Sequence, residues 1–307
     1  RLNLLNEGQI EEVPLNLLKS QVMLLKAQFL LVDGQPQKAT KVISNIQNEF
    51  PDSQASELSY IVLADFYTML EQYDLAESYL LKLAENYRES DYAAEALLEA
   101  ALNAEKRESN KFRQSIQLLN QLINNYSDSP LVFFAMRHQG DLLRKASDFS
   151  GAVSVYDNLI QKFPDHPNRY LAELSRLDCL LALANQNTTY DHKEIIVELE
   201  RLLDLPNLPK EFQLEVRYKL AFIFSKIDQT SLSKKVILSI INDFIYIDVH
   251  TEDFSSIESY WIARSLFLLC DHLIADKEVE ECKKIYRLII AYNLPGFQLA
   301  KQLLTEL

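Results

Sequence analysis

The chain has 307 residues, 48% of them hydrophobic and 24% charged, with five Gly and nine Pro, a composition that favours folded helix and excludes disorder. A formal net charge of −13, from 31 basic and 44 acidic residues, repels phosphate backbones and removes the electrostatic footprint of a nucleic-acid binder. The longest apolar runs, 131–136 and 179–184, fall far short of the ~20 residues of a bilayer span, so no membrane-crossing helix is expected.

Residues 1–15 are Leu-rich but short and contain Pro14, and read as a partial cap or the remnant of a preceding helix. No basic-then-apolar signal segment opens the sequence, as expected of a mature product or an excised piece. From Asn16, a candidate N-cap, apolar residues at helical spacing run through Leu24, Ala27 and Leu31 to a stop at Asp33-Gly34. Pro36 opens a second helix carrying Ala39, Ile43 and Ile46, which ends at Phe50-Pro51-Asp52-Ser53. The scheme then repeats, with stops at Tyr87-Arg88-Glu89-Ser90, Tyr126-Ser127-Asp128-Ser129 and Phe163-Pro164-Asp165. These stops begin at positions 50, 87, 126 and 163, and intervals of 37, 39 and 37 signal a stacked repeat. The third unit has a longer turn, through 105–110.

A fifth unit runs from Tyr170 past Cys179 and a polar loop at 185–191 to Leu205-Pro206, and a sixth from Leu214 past Ala221 and Ser233 to Phe244. The alternation Ile245, Ile247, Val249 lacks a ladder partner and reads as an extended loop. Ser255 or Ser256 caps a seventh unit holding Trp261, Cys270 and Cys282, and a last helix follows Pro295-Gly296. Within a unit, small residues sit twelve apart on the two helices, as at Ala27 and Ala39, Ala64 and Ala76, and Gly140 and Ala152. Antiparallel helices approach closely only where nothing bulky intervenes. An aromatic residue follows eleven positions later, at Phe50, Tyr87 and Phe163.

These offsets resemble the tetratricopeptide repeat (TPR) superfamily. Gly140, Ala152, Tyr156 and Pro164 match the small, small, aromatic and proline positions of that pattern, the eighth, twentieth, twenty-fourth and thirty-second. Glu194, counted back eleven from Leu205, departs from the small residue of the fifth unit and leaves that hairpin's packing open. Units of 37 to 39 residues and the Phe-Pro-Asp-Ser stop resemble the bacterial cell-envelope branch, typified by outer-membrane assembly lipoproteins and Tol-Pal coordinators. That likeness implies the periplasm or cell envelope rather than the cytoplasm. The expected fold is all-α, a single TPR-like superhelix (solenoid) over 1–307 with about seven hairpins. Its repeats are regular over 16–167, degenerate and longer over 168–294, and closed by a capping helix at 295–307.

Chemistry has few candidates. Histidines at 138, 166, 192, 250 and 272 form no metal pair and read as surface or turn residues. The five glycines never cluster into a phosphate loop, and no nucleophile elbow occurs. No catalytic residue, cofactor or metal site is expected. Cys270 and Cys282 occupy the two facing small positions of the seventh hairpin, close enough for a disulfide, or else serve as small buried apolar residues.

The family likeness implies groove-facing positions at Arg137, Asp141, Arg144 and Lys145 in the fourth unit, Arg176 in the fifth, and Tyr218 and Phe222 in the sixth. This locally basic group suits a protein or peptide carrying an acidic segment or a carboxylate, with the aromatics as an apolar anchor. The family's carboxylate clamp is absent, because its asparagine is Asp141 here. The expected function is a non-enzymatic scaffold that binds proteins or peptides on its concave surface; the alternative is a helical accessory domain of a larger enzyme or envelope assembly.

Overall fold

The computed structural model describes residues 15–107, 112–185, 191–246 and 254–307, and among them the chain is all-α. It divides into two compact units, residues 1–172 and 173–307. In the first, four hairpins follow in sequence: α1 (Leu15–Val32) with α2 (Pro36–Glu49), α3 (Gln54–Met69) with α4 (Tyr73–Asn86), α5 (Ala93–Arg107) with α6 (Arg113–Asn125), and α7 (Leu131–Lys145) with α8 (Phe149–Lys162). The division falls within α9 (Arg169–Ala184). The second unit continues with α10 (His192–Leu203), α11 (Lys210–Lys226), α12 (Thr230–Ile240), α13 (Ser256–Ala275), α14 (Val279–Ala291) and α15 (Phe297–Glu306).

The small residues lie where the helices meet. Ala27, Ala39, Ala64, Ala76 and Ala152 are buried, and a Cβ built on Gly140 would come within 2.5 Å of the Tyr156 ring. That ring is itself fully buried, so glycine is what lets α7 and α8 approach. The aromatic stops also join successive hairpins. Tyr87 donates to the carbonyl of Pro51 (2.8 Å) and Tyr126 to that of Arg88 (3.1 Å), each reaching back to the stop of the hairpin before.

Five first helices, α1, α3, α7, α11 and α13, end in the same way, and the turns after α5 and α9 lie outside the described residues. Gly34, Glu71, Ser147, Asp228 and Lys277, each seven residues after the buried small residue, adopt positive φ of 58–72°. The next residue's N–H then closes a bond to the carbonyl five residues earlier: Gln35 to Leu30, Gln72 to Tyr67, Asp148 to Leu143, Gln229 to Phe224 and Glu278 to Leu273, all at 2.8–2.9 Å. This Schellman closure satisfies a terminal carbonyl and turns the chain into the second helix. Only the first of the five turns uses glycine.

Several expectations need correction. Leu15 is already helical, so Asn16 lies inside α1 and caps nothing. In the fifth hairpin Glu194 is exposed in the first turn of α10, while Ile195, Leu199 and Leu202 form the buried stripe. The register is therefore one residue later than the count from Leu205 implies, and Ile195 takes the interior position. Ile241–Tyr246 is a π-helical extension of α12 rather than the start of an extended loop, which keeps Ile241, Phe244 and Ile245 in the core of the second unit. Ile247 and Val249 lie outside the described residues. Finally, α1 is long and apolar enough by length and composition to cross a membrane. Lys19 and Lys26 interrupt the helix, so no unbroken apolar run marks it in the sequence. In this fold Ser20, Leu24, Ala27 and Leu31 bury one side of it within the first unit.

Candidate functional site

In the first unit, α7 carries Arg137, Asp141, Arg144 and Lys145, and the last three are ion-paired nearby. Lys145 and His138 both meet Glu105 of α5, at 2.5 and 2.9 Å. Asp141 accepts from the Tyr156 hydroxyl (2.7 Å) and lies 3.6 Å from Arg144. Arg137 is half-buried, and its Nε has no hydrogen-bond acceptor among the described residues. Burial lowers the basicity of His138 more than Glu105 and Asp141 raise it, so the imidazole adds little positive charge. On α3 and α5, Asp65 and Glu99 hold their protons more strongly than ordinary carboxyls, through partial desolvation and mutual repulsion that includes Glu95. The expected basic group is thus an ion-paired mixture beside an acidic one.

The second unit separates its three predicted residues. Arg176 is bound to Glu198 of α10 at 2.8 Å. Tyr218 and Phe222, one turn apart on α11, stack at 6.1 Å and join an aromatic cluster with α13. Tyr218 lies 5.3 Å from Trp261, which meets Tyr260 edge-on at 4.9 Å. Across them lies Arg264, 4.7 Å from the Tyr218 ring centre, 5.5 Å from Tyr260 and 5.8 Å from Trp261, and it donates to the Tyr260 hydroxyl at 2.8 Å. Lys226 covers Phe222 at 5.3 Å. Burial pushes the Tyr218 phenol up, against the pull of the Arg264 charge. Tyr260 and Arg264 are exposed, and among the described residues Arg264 has no carboxylate partner. Tyr218 is itself buried, so the accessible part of this face is the exposed Tyr260 and the half-buried Phe222 and Trp261, rings that can take a side chain beside a cation that can take a negative group. The sequence held a signal for it. Arg264 precedes Cys270 by six residues, the second position of the seventh hairpin, where a groove residue is due.

The histidines are more structural than surface-like. His272 is buried, with Nε2 2.9 Å from Ser233 Oγ, and His166 stacks on Phe133 at 3.5 Å; His250 lies outside the described residues. Among the described residues no group of three or more His, Cys, Asp or Glu could hold a metal ion. All three cysteines are buried free thiols. Cys270 and Cys282 do face one another, Cys270 Sγ lying 4.0 Å from the Cys282 carbonyl, but no disulfide joins them. Burial pushes the Cys270 thiol far up, so in this setting it is a packing residue, not a thiolate.

Residues 95–129 and 134–166 match the family model for the tetratricopeptide repeat. No curated protein matches the chain. Among solved structures, a tetratricopeptide repeat protein from Parabacteroides merdae is similar over 94% of this chain and 98% of its own, at 12% identity and a TM-score of 0.48. The apo quorum sensor NprR from B. thuringiensis is similar over 93% and 90%, at 11% identity and a TM-score of 0.47. PilW, a type IV pilus biogenesis factor, is similar over 75% and 96%, at 15% identity and a TM-score of 0.41. The two segments matched by the family model coincide with hairpins α5–α6 and α7–α8, so these two hairpins are of the tetratricopeptide repeat type, and the other described residues form further helices of an all-α fold.

Proposed function

We propose that the protein is a non-enzymatic scaffold that docks a protein or peptide, and that its main anchor is the α11–α13 face of the second unit. The observation that supports this is the cluster of Tyr218, Phe222, Tyr260 and Trp261 under an Arg264 guanidinium that lacks an acidic partner among the described residues. Trp, Tyr and Arg are the residues that dominate binding energy at protein interfaces, because they bury large rigid surfaces at small entropic cost. The partner is a segment with an apolar or aromatic side chain close to a carboxylate, the ring face taking the first and Arg264 the second. The acidic preference therefore moves from the fourth hairpin, where Asp141 and Glu105 already occupy Arg144 and Lys145 and Arg137 is half-buried, to the exposed Arg264.

Trp261 is the single tryptophan of the chain, so its fluorescence reports on this face directly. A photo-cross-linking amino acid at position 260 should capture the partner in the native host, and peptides tiled from that partner should shift Trp261 emission. Y260A/R264A, which changes exposed side chains, should weaken the tightest peptide by roughly tenfold or more. A partner that binds Y260A/R264A as tightly as the wild type would remove this face from the function.

A further inference from the structure

The outer side of α1 carries an apolar stripe that nothing described covers. Leu15, Leu18, Val22, Leu25, Phe29 and Val32 are all exposed, Val22 by 55% and Phe29 by 67%, at spacings of three and four that make a strict heptad seam. Internal hairpins show what this side of a first helix is for. Thirty-seven residues on, the equivalents of Leu18 and Val22 are Ala55 and Ser59 of α3, both buried, and the corresponding Ala96 of α5 and Ala135 of α7 are buried too. There the preceding hairpin covers the position, as when Thr68 of α3 donates to Asn103 of α5. The α1 stripe is therefore continuous with an established interface of the fold.

Side-chain size separates two kinds of cover. At the place of Val22, internal first helices present Ser59, Ala96 and Ala135, small residues that let a neighbouring hairpin come close, whereas α1 presents Val22 between Leu18 and Leu25, which suit knobs-into-holes packing against another bulky helix. The seam is also narrow. Lys19 and Lys26 border one edge and Gln21 and Gln28 the other, all exposed, which fits a helix partner better than the broad apolar face of a membrane-surface helix.

We infer that α1 pairs antiparallel with α1 of a second copy of the chain, forming a two-fold dimer. The stripe is self-complementary in that direction: Leu15 meets the second copy's Val32, Leu18 its Phe29 and Val22 its Leu25, about an axis between Met23 and Leu24. This layering sets Phe29 against a leucine instead of another phenylalanine. The lysine edges come together, and their charge is compensated because Lys19 is already bound to Glu49 at 3.0 Å, a carboxylate that the second copy's Lys26 then approaches. The surface lies wholly in the first unit and is independent of the docking face at Arg264.

The test is sedimentation of the full chain from about 1 µM to about 300 µM at physiological salt, with unchanged helical circular dichroism as the folding check. Wild type should dimerise with concentration, and V22E/L25E should weaken the dimer by roughly 100-fold or more. Under mild oxidation, a mixture of V22C and L25C chains should cross-link, whereas V22C alone should not; the native cysteines are buried. A monomer at every concentration, a dimer that survives V22E/L25E, self-linkage of V22C as strong as the mixture, or stripe-dependent binding to zwitterionic vesicles without dimer would each overturn the inference.

Discussion

Ser115 is fully buried at the small-residue position of α6, where the other three hairpins of the first unit place Ala39, Ala76 and Ala152, and its hydroxyl has no hydrogen-bond partner among the described residues. A buried, unpaired hydroxyl costs free energy, and alanine is also the better helix former. S115A should therefore stabilise the protein by about 1 kcal/mol, read from the urea midpoint. His272 makes a different kind of prediction. Burial holds its imidazole below the ordinary value of 6.5, with Asp271 and Asp276 pulling up and Lys234 pushing down. Below pH 6.5 the unfolded chain takes up a proton that the native imidazole refuses, so its contribution to stability is full above that pH and is lost as pH falls toward the depressed value. The stability of the second unit should thus drop as pH falls below about 6.5, at no more than about 1.4 kcal/mol per pH unit from this group. H272Q, which can still bond Ser233, should flatten that slope in urea titrations followed by Trp261 fluorescence.

The hairpin is the element in which this fold is written, and its visibility in the sequence has a physical cause. Close approach of two antiparallel helices restricts side-chain size at two positions, so Ala27 and Ala39 or Gly140 and Ala152 stand out without knowledge of any neighbour. What the hairpin does not restrict is its turn residue. Glu71, Ser147, Asp228 and Lys277 sit in the left-handed region with ordinary side chains, held there by the Schellman bonds that follow them. Left-handed backbone is unfavourable for a residue with a Cβ. S147G should relieve that strain and raise stability by about 1 kcal/mol, less whatever glycine's freedom in the unfolded chain takes back, as measured by the shift in urea midpoint.

Across the whole molecule, legibility ends where a feature depends on more than one hairpin. Tyr218 and Phe222 are reached by counting along α11, but the cluster they form needs Trp261, Tyr260 and Arg264 from α13, beyond a segment that breaks the count. The neutralisation of Lys145 by Glu105 likewise joins residues forty apart in the chain, and net charge gives no hint of it. The one-residue shift at Ile195 escaped because a single misplaced stop moves every position behind it. The repeated left-handed turn carries a consequence at this scale. Four separate turns keep a side chain where glycine would be easier, and they lie in different hairpins, too far apart in sequence to share the residues that close them. Substitutions at such sites act nearly independently. The molecule thus holds a distributed reserve of robustness, open to selection one turn at a time, which could absorb costly changes on its binding faces without altering the packing that defines the fold.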